Sequence, residues 1–336
     1  MTALPAPAPP VFRLGARTSP LARAQVELVA ALLAGRGLAS TFVGVTTTGD
    51  TDPRLLTEIG GTGVFANAVR DALRAGRVDV GVHSLKDLPT ASEPDLQVIA
   101  VPAREDVRDV LVGARLETLP DGARIGTGAP RRAVQLLDWA ARTGRRLEVV
   151  PIRGNVDTRV DLARRGAVDA VVLAGAGLRR LRHLPPRDHL SHPDNEPTEV
   201  QGLPSEVLRE DLMLPAPGQG ALALEVHAGL SDDRRRLVEQ LDDPVARAEV
   251  LVERGFLAAL EAGCTAPVGA RAVVKSVRGT TVDLTLTAVI GRTLLNNLSD
   301  PTNSAPPIRL DVSGSTTDPA AFGAANARSV LDALSS

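Results

Sequence analysis

One line of sequence, written twice, constrains the fold of this chain more than any other feature. Arg74, Gly76, Val78, Asp79, Val82 and Leu88 recur 90 residues later as Arg164, Gly166, Val168, Asp169, Val172 and Leu178. Both copies read as helix, tight Gly turn, strand and loop. Helix–turn–strand is common, so the match fits either chance or two lobes of shared ancestry. The surrounding pattern is that of an α/β chain. Residues 11–16 read as a strand, and Ser19-Pro20 supplies an N-cap and a Pro at N1 for a helix ending near Gly35 or Gly37. Strand-like runs follow at 41–46, 78–82 and 96–101, with helical spacing over 64–75. The pattern then restarts, with strands at 110–112, 124–125, 147–152 and 168–173 alternating with helices at 130–142 and 155–165. Strands separated by helices of this length predict mainly parallel sheets.

Residues 183–215 are rich in Pro, His and Asp, carry few periodic signals, and read as a long surface excursion. A strand at 221–226 and a charged helix at 232–241 follow. A long helix runs from Asp243-Pro244 to about Ala262, and strands at 282–290 and 308–312 and a last helix at 319–334 complete a smaller α+β unit. The expected division is a first lobe over 1–103, to which 217–238 returns, a second lobe over 104–216, and a C-terminal domain over 239–336.

Composition narrows the function. With 38 Lys+Arg against 40 Asp+Glu the net charge is −2, far from the basic balance of a chain held to nucleic acid by bulk charge. Aromatics are 2% with no Tyr, too few for base-stacking platforms. No apolar run reaches the roughly 18 residues of a membrane span. Residues 1–10 are rich in Pro and Ala without a basic start or an apolar stretch, which reads as a short disordered tail on a cytoplasmic protein.

Three groups of residues could carry chemistry. Val82-His83-Ser84-Leu85-Lys86-Asp87-Leu88-Pro89 puts a cation and a carboxylate at the C-terminal end of a strand, where open α/β sheets hold their ligands. The second copy of the repeat has Ala176-Gly177 at the place of Lys86-Asp87. A solvated turn in which Asp87 caps or pairs with Lys86 fits the local sequence equally. Arginines form the second group: Arg17 before the first helix, Arg131-Arg132 after Pro130, Arg153 and Arg159 around Gly154-Asn155, and Arg179-Arg180 after a strand. A cation at a helix start opposes the helix dipole at a cost of roughly 0.3–1 kcal/mol. Several at strand-to-helix turns point to an anion resting there, and Arg favours bidentate carboxylate or phosphate. There is no Walker loop and no dinucleotide fingerprint, so carboxylates fit as well as phosphates. Third, the single Cys264 lies in a Gly-flanked turn. A lone Cys is most often a small buried hydrophobe, but an exposed thiol there could serve as nucleophile or attachment point. The five His show no tight pair of the zinc type, and no metal is expected.

These segments resemble the porphobilinogen deaminase (hydroxymethylbilane synthase) family over roughly residues 11–275. The carriers are Arg17-Thr18-Ser19-Pro20-Leu21-Ala22, Thr48-Gly49-Asp50, the run from Val82 to Pro89, Arg104-Glu105-Asp106, and Gly126-Thr127 before Arg131-Arg132. Further on come Ile152-Arg153-Gly154-Asn155 with Thr158-Arg159, Leu173-Ala174 to Gly177-Leu178, Pro217-Gly218-Gln219-Gly220, and Gly263-Cys264 with Pro267-Val268-Gly269. The resemblance implies two α/β lobes like those of periplasmic binding proteins, facing each other across a cleft, plus a smaller α+β domain. It implies a transferase of tetrapyrrole (haem) biosynthesis that joins four porphobilinogen units head to tail, losing ammonia each time, and releases hydroxymethylbilane. The chain would grow on a dipyrromethane cofactor held by a thioether to Cys264. Arg17, Arg131, Arg132, Arg153, Arg159 and Arg180 would bind the acetates and propionates, with Ser19, Ser84, Thr127 and Gln219 assisting and Lys86 positioning the cofactor. Asp87 would be the acid–base residue, protonating the leaving amine, stabilising the cationic azafulvene and later accepting the pyrrole proton. Expected partners are the small-molecule substrate alone, with no nucleic acid and no membrane, in a monomeric cytoplasmic protein.

The sequence also departs from the family pattern. Gly60-Gly61-Thr62-Gly63-Val64-Phe65 stands where Gly-Gly-Lys-Gly-Leu-Phe is usual, and Glu58 where another Lys is often found. Gly128-Ala129-Pro130 replaces a Ser-Ser-Leu pattern, and 183–215 is longer than usual. A two-lobed carboxylate-binding module or inactive paralogue is the competing reading; only a catalytic protein would carry extra mass on Cys264.

Overall fold

The computed structural model describes residues 11–46, 64–185, 197–263, 266–292 and 306–335. Thr48-Gly49-Asp50, Glu58 with the Gly60–Gly63 stretch, His189, His192 and Cys264 lie outside the described residues.

The first lobe is built from β1 (Val11–Arg17), α1 (Pro20–Ala34), β2 (Ala39–Val45), α2 (Val64–Arg74), β3 (Val80–Ser84) and β4 (Leu96–Ala100). The second holds β5 (Asp109–Val112), β6 (Ala123–Gly126), α3 (Pro130–Thr143), β7 (Leu147–Val150), α4 (Val156–Arg164), β8 (Ala170–Ala174), α5 (Gly175–Arg180), β9 (Pro197–Val200) and β10 (Leu203–Val207). The chain then returns to the first sheet as β11 (Leu222–His227), followed by α6 (Asp232–Glu239) and α7 (Pro244–Ala259). The C-terminal unit is β12 (Val268–Arg278), β13 (Thr281–Ile290), β14 (Ile308–Thr316) and α8 (Pro319–Ser335).

Strand order is β2-β1-β3-β11-β4 in the first sheet and β7-β6-β8-β5-β10-β9 in the second. In each, three strands are parallel and the fourth, β11 or β5, runs antiparallel to its neighbour in that trio. The expectation of mainly parallel sheets is therefore corrected to mixed ones. Each antiparallel strand enters its sheet from the opposite lobe rather than through a helical crossover, so no crossover fixes its direction. The repeated line of sequence falls on β3 and β8, which hold the same place in the two trios. The inner strand of each parallel trio is buried nearly throughout, β8 at Ala170, Val171, Val172 and Leu173 and β3 at Val80, Gly81, Val82 and His83.

The excursion at 183–215 is not unstructured. β9 and β10 form a hairpin that extends the second sheet, closed by Gln201-Gly202 with φ of 51° and 78°. Positive φ at both turn residues marks the two-residue hairpin turn, but Pro197 and Pro204 break the alternation that would have revealed the strands. β12 was likewise not foreseen. It pairs along β13 in an antiparallel three-stranded sheet covered by α7 and α8, whose core includes Val252, Phe256, Leu284, Leu286 and Ala327.

Candidate functional site

The two lobes meet at the C-terminal ends of their parallel strands. There α1 lies against α5, so close that a Cβ on Gly177 would sit 3.6 Å from Leu21 Cδ2. Two segments cross between the lobes at the same level, 101–108 outward and 208–221 back. They touch at Gly220, whose φ is 86° and whose missing Cβ would lie 2.4 Å from the Glu105 carbonyl oxygen. Only glycine satisfies both constraints.

Each strand end delivers part of the site. Arg17 closes β1, half-buried, and Ser19 caps α1 by accepting the Ala22 N–H at 3.3 Å, a bond that uses its oxygen and not its O–H. β3 ends at Ser84, which makes no capping bond, and turns into a single 3-10 turn, Leu85–Asp87. Leu85 and Leu88 are buried beneath that turn, Lys86 is half-buried and Asp87 is exposed. His83, from the same motif, points the other way and sits 3.2 Å from Glu225, which also pairs with Arg70 at 2.8 Å. Its part is in the lobe's interior.

β6 ends one residue before Thr127, buried, whose Oγ1 accepts the Ala129 N–H at 3.2 Å and so fixes the turn into the next helix. A Cβ on Gly128 would stand 2.7 Å from the Ile152 carbonyl oxygen, which gives a physical reason for Gly at this departure from the family pattern. Helix α3 begins with Arg131 and Arg132, and both are buried. They clamp Asp109, the first residue of β5: Arg131 Nη2 lies 2.9 Å from Oδ2 and Arg132 Nη2 2.8 Å from Oδ1. Arg131 also donates to the Leu214 carbonyl and Arg132 to that of Val172 at 2.9 Å. Gln219 completes the array. Its Nε2 donates to Asp109 Oδ1 at 2.9 Å and its Oε1 accepts from Lys86 Nζ at 3.1 Å. A continuous polar chain thus runs from Lys86 in the first lobe through Gln219 to Asp109, Arg131 and Arg132 in the second.

Beyond β7, Asn155 caps α4 by accepting the Thr158 N–H at 2.9 Å. Arg159 donates from Nε to the Gly154 carbonyl at 2.9 Å, and Arg153 is half-buried beside it. Beyond β8, Arg180 donates from Nη2 to the Gly220 carbonyl at 2.6 Å, while its buried Nε has no hydrogen-bond partner among the described residues.

The electrostatics show crowded positive charge. Burial would raise the Asp109 carboxyl, but Arg131 and Arg132 hold it well below the usual carboxylate range. Burial brings Lys86 down to about 8 against the pull of Asp87, with Arg132 lowering it further. Arg159 is lowered to about 10 by burial and by Arg132 and Arg153, again opposed by Asp87. Asp87 therefore stands among cations contributed by both lobes. Asp109 was not singled out from the sequence. The signal was available, since a carboxylate opening an otherwise apolar four-residue strand needs a buried cation.

Residues 12–235 match the family model described as porphobilinogen deaminase, dipyromethane cofactor binding domain, and 247–297 match the porphobilinogen deaminase C-terminal domain. The chain is 50% identical over 286 residues to porphobilinogen deaminase 1 of Streptomyces coelicolor, covering 84% of each. It is 40% identical over 326 residues to porphobilinogen deaminase of Roseiflexus castenholzii, covering 95% of each. Among solved structures, a periplasmic substrate-binding protein of an ABC transporter from Coxiella burnetii aligns with 70% of this chain and 94% of its own, at 15% identity and a TM-score of 0.39. A likeness that low carries no argument, and the two-lobed architecture rests on the sheet topology above.

Proposed function

The chain belongs to the porphobilinogen deaminase family, and on that premise we propose that its cleft joins four porphobilinogen molecules head to tail with Asp87 as the acid–base group. The product is hydroxymethylbilane, and the enzyme is a transferase of tetrapyrrole biosynthesis working on a dipyrromethane cofactor.

The cleft residues fit such a group. A dipyrromethane and the rings added to it carry an acetate and a propionate each, and here Arg17, Lys86, Arg131, Arg132, Arg153, Arg159 and Arg180 outnumber Asp87, Glu105 and Asp109. The unpartnered Arg180 Nε and the lowered Lys86 and Arg159 are what a site built for a polyanion shows without one. Lys86, Arg131, Arg132, Ser84 and Thr127 would hold the cofactor, and Arg17, Ser19, Arg153, Arg159 and Arg180 the incoming and growing rings. Gln219, expected from the sequence to assist there, is fully buried with both ends of its amide bonded and would act by holding Lys86. Once bound by a thioether to Cys264, the cofactor supplies a nucleophilic pyrrole carbon to which the first unit is added. Asp87 donates its proton to the aminomethyl nitrogen of porphobilinogen, so that ammonia leaves. As a carboxylate it then offsets the positive charge left on the substrate, and takes up the proton displaced when the new carbon–carbon bond forms. One exposed carboxyl suffices, because the electrophile needs a nearby anion rather than a strong nucleophile.

The observation that carries this reading is the exposed Asp87 set among cations of both lobes. Intact mass spectrometry tests it most cheaply. Purified protein should carry an adduct equal to two porphobilinogen units less two ammonia, mapped to the Cys264 peptide. Protein at its bare sequence mass, still inactive after incubation with porphobilinogen, would support the carboxylate-binding alternative. The finer parts of the proposal are a monomer that engages neither nucleic acid nor membrane and works in the cytoplasm. They draw support from the net charge of −2 and from an unpaired thiol, which suits a reducing compartment. No helix among the described residues is long and apolar enough to cross a membrane.

Lys86 gives a pH test. Its ammonium is lost as pH rises through about 8 in the cofactor-free protein, and a cofactor carboxylate would hold the proton on. The rate at which cofactor-free protein takes up its cofactor should fall above about pH 8, while turnover of the loaded enzyme holds to higher pH. In Lys86→Arg that limb should vanish. A limb unchanged by the substitution would assign the titration to another group.

A further inference from the structure

We propose that Arg254, on helix α7 of the C-terminal domain, is a positioning residue for Asp87, acting through the main-chain carbonyls of the turn that carries it. The inference rests on the acid–base reading of Asp87 above. Arg254 Nη1 donates to the Leu88 carbonyl at 2.9 Å and to that of Leu85 at 3.3 Å, and Nη2 donates to that of Pro89 at 2.6 Å. These three bonds span the 3-10 turn Leu85–Asp87 and the two residues after it.

The turn needs such support. It is a single 3-10 turn whose C-cap bond runs from the Leu88 N–H to the Leu85 carbonyl at 3.1 Å, and the carbonyls beyond it have no helical partners. Leu85 and Leu88 anchor it from below in an apolar cluster with Ala246 and Val250 of α7. Apolar contact is non-directional and sets the depth of the turn, not its rotation. The planar guanidinium fork, holding three carbonyls at once, fixes the rotation and thereby the direction in which the Asp87 side chain leaves the backbone. Burial and then Arg70 lower Arg254 to about 10, opposed by Glu225, so it stays charged through the neutral range.

Helix α7 also holds the returning segment. Glu253, the residue before Arg254, accepts the Gly218 N–H at 2.7 Å and pairs with Arg104 at 2.7 Å. In sequence the same helix leads to Cys264. Arg254 is the polar contact of this helix with the turn that carries Asp87. Proton transfer demands hydrogen-bond reach, and a displacement of about 1 Å at a reacting group can cost about 10²-fold.

The test uses Arg254→Gln and Arg254→Lys in the full-length, cofactor-loaded protein. Lys keeps the charge and the aliphatic stem but cannot hold three carbonyls in one plane, so it should fail to rescue and covers the case in which Gln does not fold. Hydrogen exchange of peptides spanning 85–90 should quicken by about tenfold or more, with peptides of β13 and α8 unchanged. Single-turnover addition of porphobilinogen should slow by about 10–100-fold, with KM within about twofold and the Cys264 adduct retained. Unchanged exchange would show that the carbonyls are not clamped. Quickened exchange with an unchanged rate, or full rescue by Lys, would overturn the positioning role, as would loss of the adduct. The exchange readout does not depend on Asp87, so full activity in Asp87→Asn would remove the catalytic assignment while the clamp could still be judged.

Discussion

Asp87→Asn should stop chain elongation while the protein stays folded and loaded with cofactor. Asp87 is exposed at a turn whose buried anchors are Leu85 and Leu88, so the substitution leaves the packing alone. Asn keeps the shape but can neither give up a proton nor offset a cation. Loss of one acid–base group typically costs 10²–10⁴-fold, and loss of the anion beside a cationic intermediate adds to that. Asp87 also opposes the lowering of both Lys86 and Arg159. Its neutralisation should therefore bring down the pH at which Lys86 loses its charge in the cofactor-free protein, whatever part the carboxylate plays in the reaction. Asn caps nearly as well as Asp, so a merely structural role predicts survival of activity. The measurement is single-turnover addition of porphobilinogen at fixed pH, and a loss of less than about tenfold, well short of that range, would move the chemistry elsewhere.

The parts of this site legible in the sequence were those with local signatures. Ser19-Pro20 and Asn155 announce helix starts by their capping chemistry, and both cap as read, accepting from Ala22 and Thr158. The repeated line identified equivalent strand ends because a Gly turn and an apolar strand leave the same trace in each lobe. What could not be read was long-range pairing. Asp109 becomes the centre of the site only because β5 enters the second sheet beside β8, which sets it against the start of α3. No periodicity encodes that neighbour. The same limit hid the crossing at Gly220, where glycine is demanded by a carbonyl 115 residues away in sequence (Glu105), and the role of Arg254, whose partners are carbonyls that carry no side-chain signal. Arg131 and Arg132 illustrate a subtler gap. The sequence reads them as facing an anionic ligand, and the structure adds that they already share a buried carboxylate, which sets how much of their charge a ligand can claim.

That shared carboxylate should make Asp109→Asn the most destabilising single change in the cleft. Asp109 is fully buried, and both its oxygens accept from guanidinium groups, with Gln219 Nε2 as a further donor. Asn removes the negative charge and turns one acceptor into a donor facing other donors, which leaves two buried guanidinium groups side by side without compensation. Breaking a buried pair from one side costs about 3–5 kcal/mol. Urea unfolding of the cofactor-free protein should show that loss as a lower midpoint at an unchanged slope. The sign of the pH dependence follows from the depressed native pKa. Asp109 contributes its full stability above the unfolded carboxyl value of about 3.9 and loses it as pH falls toward the native value, so wild type and variant should converge below about pH 4. Adding Arg132→Gln should recover part of the loss, because it removes one of the stranded cations. A penalty under about 1 kcal/mol, or one that persists undiminished at low pH, would mean that the two arginines are held by the Leu214 and Val172 carbonyls rather than by the charge of Asp109.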